Sequence, residues 1–111
     1  MRRFLAALTV VVWATTALAH QLNVFAFVED GIVVVETKFS TGKIPVSGNV
    51  RVLDAGAVVL HTLSLDSDGT VRFPLDPDAA THGRTIEVIT GEGHEDYWIL
   101  TPEDIARGSG R

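Results

Sequence analysis

"LNVFAFVEDGIVVVETKF", residues 22–39, decides the fold. Two runs rich in Val, Ile, Phe and Thr, 22–28 and 32–39, flank the turn residues Glu29-Asp30-Gly31. Such runs bounded by Gly and Asp read as β-strands. In the first, Leu22, Val24, Ala26 and Val28 share one face while Phe25 and Phe27 take the other, so this strand is expected to be buried on both sides. Five further runs follow at 49–54, 57–63, 70–75, 84–90 and 95–101, separated by "STGKIPVSG", "DAG", "DSDG", "DPDAATHG" and "GEG". That punctuation belongs to turns and loops. Evenly spaced strands with no helical pattern between them predict an all-β fold, a seven-stranded antiparallel β-sandwich of immunoglobulin-like or transthyretin-like type. Val24, Phe39, Val52, Val59, Phe73, Val88 and Trp98 are the expected core. A helix start at Thr101-Pro102-Glu103 leads into an expected polar tail over 102–111.

Upstream, Arg2 and Arg3 precede an uncharged apolar stretch, 4–18, that closes on Ala17-Leu18-Ala19. A positive start, an apolar run and a small-x-small triplet form a secretory signal peptide over 1–19, and the run is shorter than the ~20 residues of a spanning helix. Cleavage takes 19 of the 111 residues and leaves 92, one small domain spanning 20–101 and its tail. It also takes two of the 9 basic residues and none of the 14 acidic ones, which deepens the net charge from −5 to −7. That balance argues against nucleic acid as a partner and permits attraction of cations. With no cysteine, the domain holds together by its core alone and cannot offer a thiolate site. The single methionine is Met1, so any metal site uses nitrogen and oxygen ligands. Such ligands suit Ni²⁺, Co²⁺, Cu²⁺ or Zn²⁺ and disfavour Cu⁺.

Cleavage after Ala19 makes His20 the new N-terminus. Its amine and imidazole Nδ1 can then close a chelate ring on one ion at low ordering cost, because the two donors are already tethered. His94, in "GEGHEDYW" beside Glu92, Glu95 and Asp96, sits at the entrance to the last strand and is the candidate for a further ligand. His61, within a strand, and His82, in "ATHGR", read as ordinary structural residues. "DSDG" at 66–69 lacks the later ligands of a calcium loop and reads as a β-turn. No nucleophile elbow, HExxH or phosphate loop is present, so nothing points to an enzyme.

The block from His20 to Leu75, "HQLNVFAFVEDGIVVVETKFSTGKIPVSGNVRVLDAGAVVLHTLSLDSDGTVRFPL", and the later "TGEGHEDYWI" resemble the periplasmic small component of energy-coupling-factor nickel and cobalt transporters. The shared features are a mature start on His-x-Leu-x-Val, a strand pair, the "TGKIPVSG" to "FPL" block and a closing Gly-x-Gly-His strand. The middle block also resembles carboxypeptidase-regulatory-like and transthyretin-like sandwich modules. The transporter resemblance spans residues 20–100 and implies a periplasmic accessory subunit that assists uptake of a nickel or cobalt ion by a membrane permease and its ATPase. His20 and His94 match the family's recurring histidines. Family members commonly carry a membrane anchor after the sandwich, whereas "ARGSGR" at 106–111 is polar. The resemblance therefore implies docking as a soluble subunit or retention of the signal segment as anchor. Two other readings stand beside it: a soluble periplasmic copper(II) carrier and a metal-free interaction module. A histidine-brace oxidase is set aside, because 92 residues leave little room for a substrate platform.

Overall fold

Asp30 and Gly31 both adopt positive φ, 52° and 78°. That is the backbone of a two-residue type I′ turn, whose twist matches the strands it joins. It fixes the register of β1 (Leu22–Glu29) on β2 (Ile32–Phe39), from Glu29 opposite Ile32 to Leu22 opposite Phe39. The computed structural model describes residues 21–91 and 93–109; the expected signal segment, 1–19, His20 and Glu92 lie outside them. Beyond the first hairpin come β3 (Gly48–Leu53), β4 (Val59–Ser64), β5 (Thr70–Pro74), the short helix α1 (Ala79–His82), β6 (Arg84–Thr90), β7 (Glu95–Leu100) and α2 (Pro102–Ser109). Among the described residues the strands form two antiparallel sheets, ordered β1-β2-β5 and β4-β3-β6-β7. The protein is a seven-stranded antiparallel β-sandwich.

Alternation along the strands sends one side of each sheet inward. Val24, Ala26, Val28, Val33, Val35 and Val71 from one sheet meet Val50, Val52, Ile86, Val88 and Leu100 from the other. β-branched side chains dominate because they fit the pleat with little rotamer freedom to lose. Phe39, Phe73 and Trp98 pack on this core while remaining half-buried.

Three expectations need correcting. Val59 is not core: it is 40% exposed, as are its neighbours in β4, where only Leu63 packs inward. The four-stranded sheet has one strand more than the sheet it faces, and a register shift between Val52 and Leu53 disturbs the β4 phase. Nor is β1 buried on both sides. Phe25 is 46% exposed on the outer surface, where its ring packs against Phe27 at 5.4 Å and edge-on against Trp98 at 5.0 Å. The helix does start at Pro102, as expected, but the stretch expected to fade from there into a polar tail stays helical as far as Ser109. Thr101 Oγ1 accepts from the Asp104 amide at 3.1 Å, and Asp104 Oδ2 accepts from the Thr101 amide at 3.3 Å. This reciprocal cap starts the helix, and Ile105, one turn in, is fully buried in the core. Gly108 lies so close to the Val28 carbonyl that a Cβ there would collide with it, so the helix end docks directly on β1.

Candidate metal centre

His94 precedes β7 in the turn that joins it to β6. The Thr90 amide donates to the His94 carbonyl at 2.8 Å, and the Gly93 amide donates to the Thr90 carbonyl at 3.0 Å. Gly93 supplies the positive φ, 87°, that this tight reversal requires. The half-exposed His94 ring stands edge-on to Phe39, with centroids 5.3 Å apart. Phe39 is the last residue of β2 and the cross-strand partner of Leu22. The next pair outward is held as well: Ser40 donates its amide to the Gln21 carbonyl at 2.8 Å, and the Gln21 amide donates to Ser40 Oγ at 3.2 Å. The chain therefore enters β1 at the same end of the sandwich as His94.

The carboxylates near His94 divide by strand phase. Asp96 shares the inner phase of His94, and its Oδ2 accepts the Val24 amide at 3.1 Å, joining β7 to β1 across the two sheets. It serves the backbone of an edge strand. Glu95 is exposed in the opposite phase. Among the described residues no group of three or more histidine and acidic side chains is arranged to hold a metal ion. His94 thus offers one imidazole at this end. A single imidazole makes a weak site, and the two nitrogens of a free His20 are what would bring the set to three nitrogen donors, a set suited to borderline divalent ions.

The other two histidines lie elsewhere. His61 is exposed on β4, its Nε2 3.4 Å from Asp76 Oδ2. His82 ends α1, beside the start of β6, a strand's length from the turn that carries His94. Near it Arg84, with only 4% of its side chain exposed, places Nη2 3.2 Å from Asp78 and 3.7 Å from Asp76. The hydrogen bond from Arg84 holds the Asp78 carboxyl below the ordinary carboxylate value. Asp68 is likewise held low, first by the Thr70 hydroxyl and then by the Thr70 amide. "DSDG" is a turn: Asp66 donates its amide to Thr70 and accepts from Gly69.

Two residues of this end have roles that the sequence does not reveal. In the sequence Phe39 reads as core, and its place under His94 follows only once the hairpin register and the β6–β7 turn are both known. Asp96 stands in the sequence among the acids beside His94, and no local pattern distinguishes a ligand carboxylate from one that accepts a distant backbone amide. Comparison of the chain with protein-family models, with curated proteins and with solved structures gave no match.

Proposed function

We propose that this protein is a periplasmic accessory component of a nickel or cobalt uptake transporter, and that it acts by binding rather than by catalysis. In this reading the mature domain takes its cargo ion through the His20 amine and imidazole with His94 as a further ligand, and presents it to a membrane permease. The observation that carries the reading is the seating of the His94 ring on Phe39, the cross-strand partner of Leu22, two residues from His20. The resemblance over residues 20–100 and the acidic balance support the same reading.

The ligand chemistry sets the expected behaviour. Both His20 nitrogens must be deprotonated to bind, so affinity falls with pH from roughly 8 down to 6, through the ordinary amine and imidazole ranges. Mass spectrometry of the exported chain is expected to find it starting His20-Gln21-Leu22. Calorimetry with Ni²⁺ and Co²⁺ then compares that chain with a version carrying one extra N-terminal alanine and with His94→Ala. Each change is expected to weaken binding about tenfold or more, since each removes one nitrogen donor. Equal affinity in the parent and the extended chain would exclude the amine. Binding of Cu²⁺ alone would turn the reading to a copper(II) carrier, and no binding of any ion to a metal-free interaction module.

A further inference from the structure

An aspartate followed by a glycine can react with its own backbone, because glycine has no Cβ to shield its amide nitrogen or restrict its rotation. The sequence holds two such steps, Asp30-Gly31 and Asp68-Gly69, both in turns and both with exposed aspartates. The fold treats them differently. At the second, Asp68 Oδ1 accepts from the Thr70 hydroxyl at 2.7 Å and from the Thr70 amide at 3.1 Å. The Gly69 amide donates to the Asp66 carbonyl at 2.9 Å, and the Gly69 carbonyl accepts the Thr37 hydroxyl at 2.6 Å. Gly69 is buried, and a Cβ there would collide with Ile44. At the first step, the Asp30 carboxyl has no donor and the Gly31 amide no acceptor among the described residues. Gly31 is exposed, with nothing within 4 Å of where its Cβ would stand. Its carbonyl alone is held, by the Leu75 amide at 3.0 Å.

We infer that Asp30-Gly31 is a site of spontaneous modification, where the chain closes a succinimide and reopens it in part as isoaspartate. The Gly31 nitrogen gives up its proton and bonds to Asp30 Cγ, whose hydroxyl leaves with that proton as water. The product is a five-membered imide, and nothing is oxidised or reduced. Water, the one co-reactant, then opens the ring at either carbonyl. Opening at the side-chain carbonyl restores the ordinary peptide, whereas opening at the main-chain carbonyl leaves Gly31 linked through Cγ. To close the ring the Asp30 side chain swings over the Gly31 nitrogen, and no side-chain hydrogen bond has to break. At Asp68 two must break, and the Gly69 amide must also leave Asp66. The carboxyl reacts in its protonated form, and the Thr70 hydroxyl, then the Thr70 amide, hold Asp68 below the ordinary carboxylate value. The second step is therefore locked and the first is open. The isoaspartyl linkage adds one carbon to the main chain. A type I′ turn has no place for it, so strand pairing frays from Glu29 opposite Ile32 inward.

Trypsin separates the two steps, leaving Asp30 in the peptide that ends at Lys38 and Asp68 in the peptide 52–72. The folded protein is held warm at neutral pH in heavy-oxygen water, digested in ordinary water, and both peptides are followed by mass spectrometry. Each passage through the imide leaves a heavy oxygen, and isoaspartate elutes as a separate isomer. Label is expected to enter Asp30 about tenfold faster than Asp68, the slowing that hydrogen bonds to a charged group impose. In urea, which removes the fold and keeps the sequence, the two rates should converge. Thr70→Val should quicken Asp68 in the folded protein and leave Asp30 as it was. Label entering both at one rate, Asp68 first, or neither, overturns the proposal. So does an excess at Asp30 that persists in urea, because the flanking residues rather than the fold would then set it.

Discussion

Arg84 is the first residue of β6 and one of few buried polar side chains among the described residues. Its Nη1 donates to the Gly83 carbonyl at 2.9 Å and its Nη2 reaches Asp78 and Asp76, while Nε is buried without a hydrogen-bond partner among the described residues. The cation is thus sunk in the fold, whereas Asp78 is 77% exposed at the side chain. A solvated carboxylate repays only part of the cost of desolvating a guanidinium. The contribution is legible as a pH effect. Asp78 is held below its ordinary value of 3.8, first by the hydrogen bond from Arg84. A folded-state pKa below the unfolded one adds stability that is present above the unfolded value and lost as pH falls through the folded one. Asp78→Asn is therefore expected to lower the urea midpoint slightly at neutral pH and to match the parent at the acid end of a pH series. A gap that persists in acid would show that packing, rather than charge, links Asp78 to Arg84.

At the scale of elements, the strands and the start of α2 at Thr101-Pro102-Glu103 were legible, whereas α1 and the length of α2 were not. All seven strand runs lie within two residues of their observed bounds, because Gly, Pro and Asp punctuation separates β-branched runs on every side. The failures share a physical cause. Hydrophobic identity says that a side chain prefers burial, but not whether an opposing layer is there to bury it. Val59 lacks one because the one-residue register shift beside it turns it out of the inward phase of Leu63, and Phe25 because its strand face is an outer one. In α2 the error ran the other way. Among residues 102–109 Ile105 is the one large apolar side chain, too little to show a helical period, yet the Thr101–Asp104 cap turns it straight into the core. Ile105→Ala is expected to cost about 2–5 kcal/mol in urea unfolding, as for other large-to-small changes at fully buried sites. Glu103→Ala, exposed on the same helix, should stay within about 0.5 kcal/mol of the parent. Equal small effects would mean that α2 contributes little to the fold.

Across the whole molecule the sandwich is closed unevenly. One flank, β1 beside β7, is tied by the Asp96 carboxylate, while the other ends in the bare β4 edge. The tied flank also carries the candidate centre: β1 begins there and His94 enters β7 there. Its histidines stood out in the sequence because imidazole is a scarce and chemically specific side chain. The carboxylate that holds the flank did not, since its partner Val24 is 72 residues away. This separates two roles for Asp96 that sequence proximity to His94 runs together. As a backbone acceptor, it contributes about 1–3 kcal/mol, because its loss leaves the Val24 amide without a partner in a part-buried position. Asp96→Ala should then lower global stability by that amount and speed hydrogen exchange at Val24 beyond its neighbours in β1. If the proposed centre binds metal, its affinity should fall only as far as the variant loosens the start of β1, and raising the protein's stability with an osmolyte should recover part of it. Were Asp96 a ligand instead, affinity would collapse while exchange at Val24 stayed unchanged. Measuring the two together on one variant therefore tells the scaffold of this end of the molecule from its ligands.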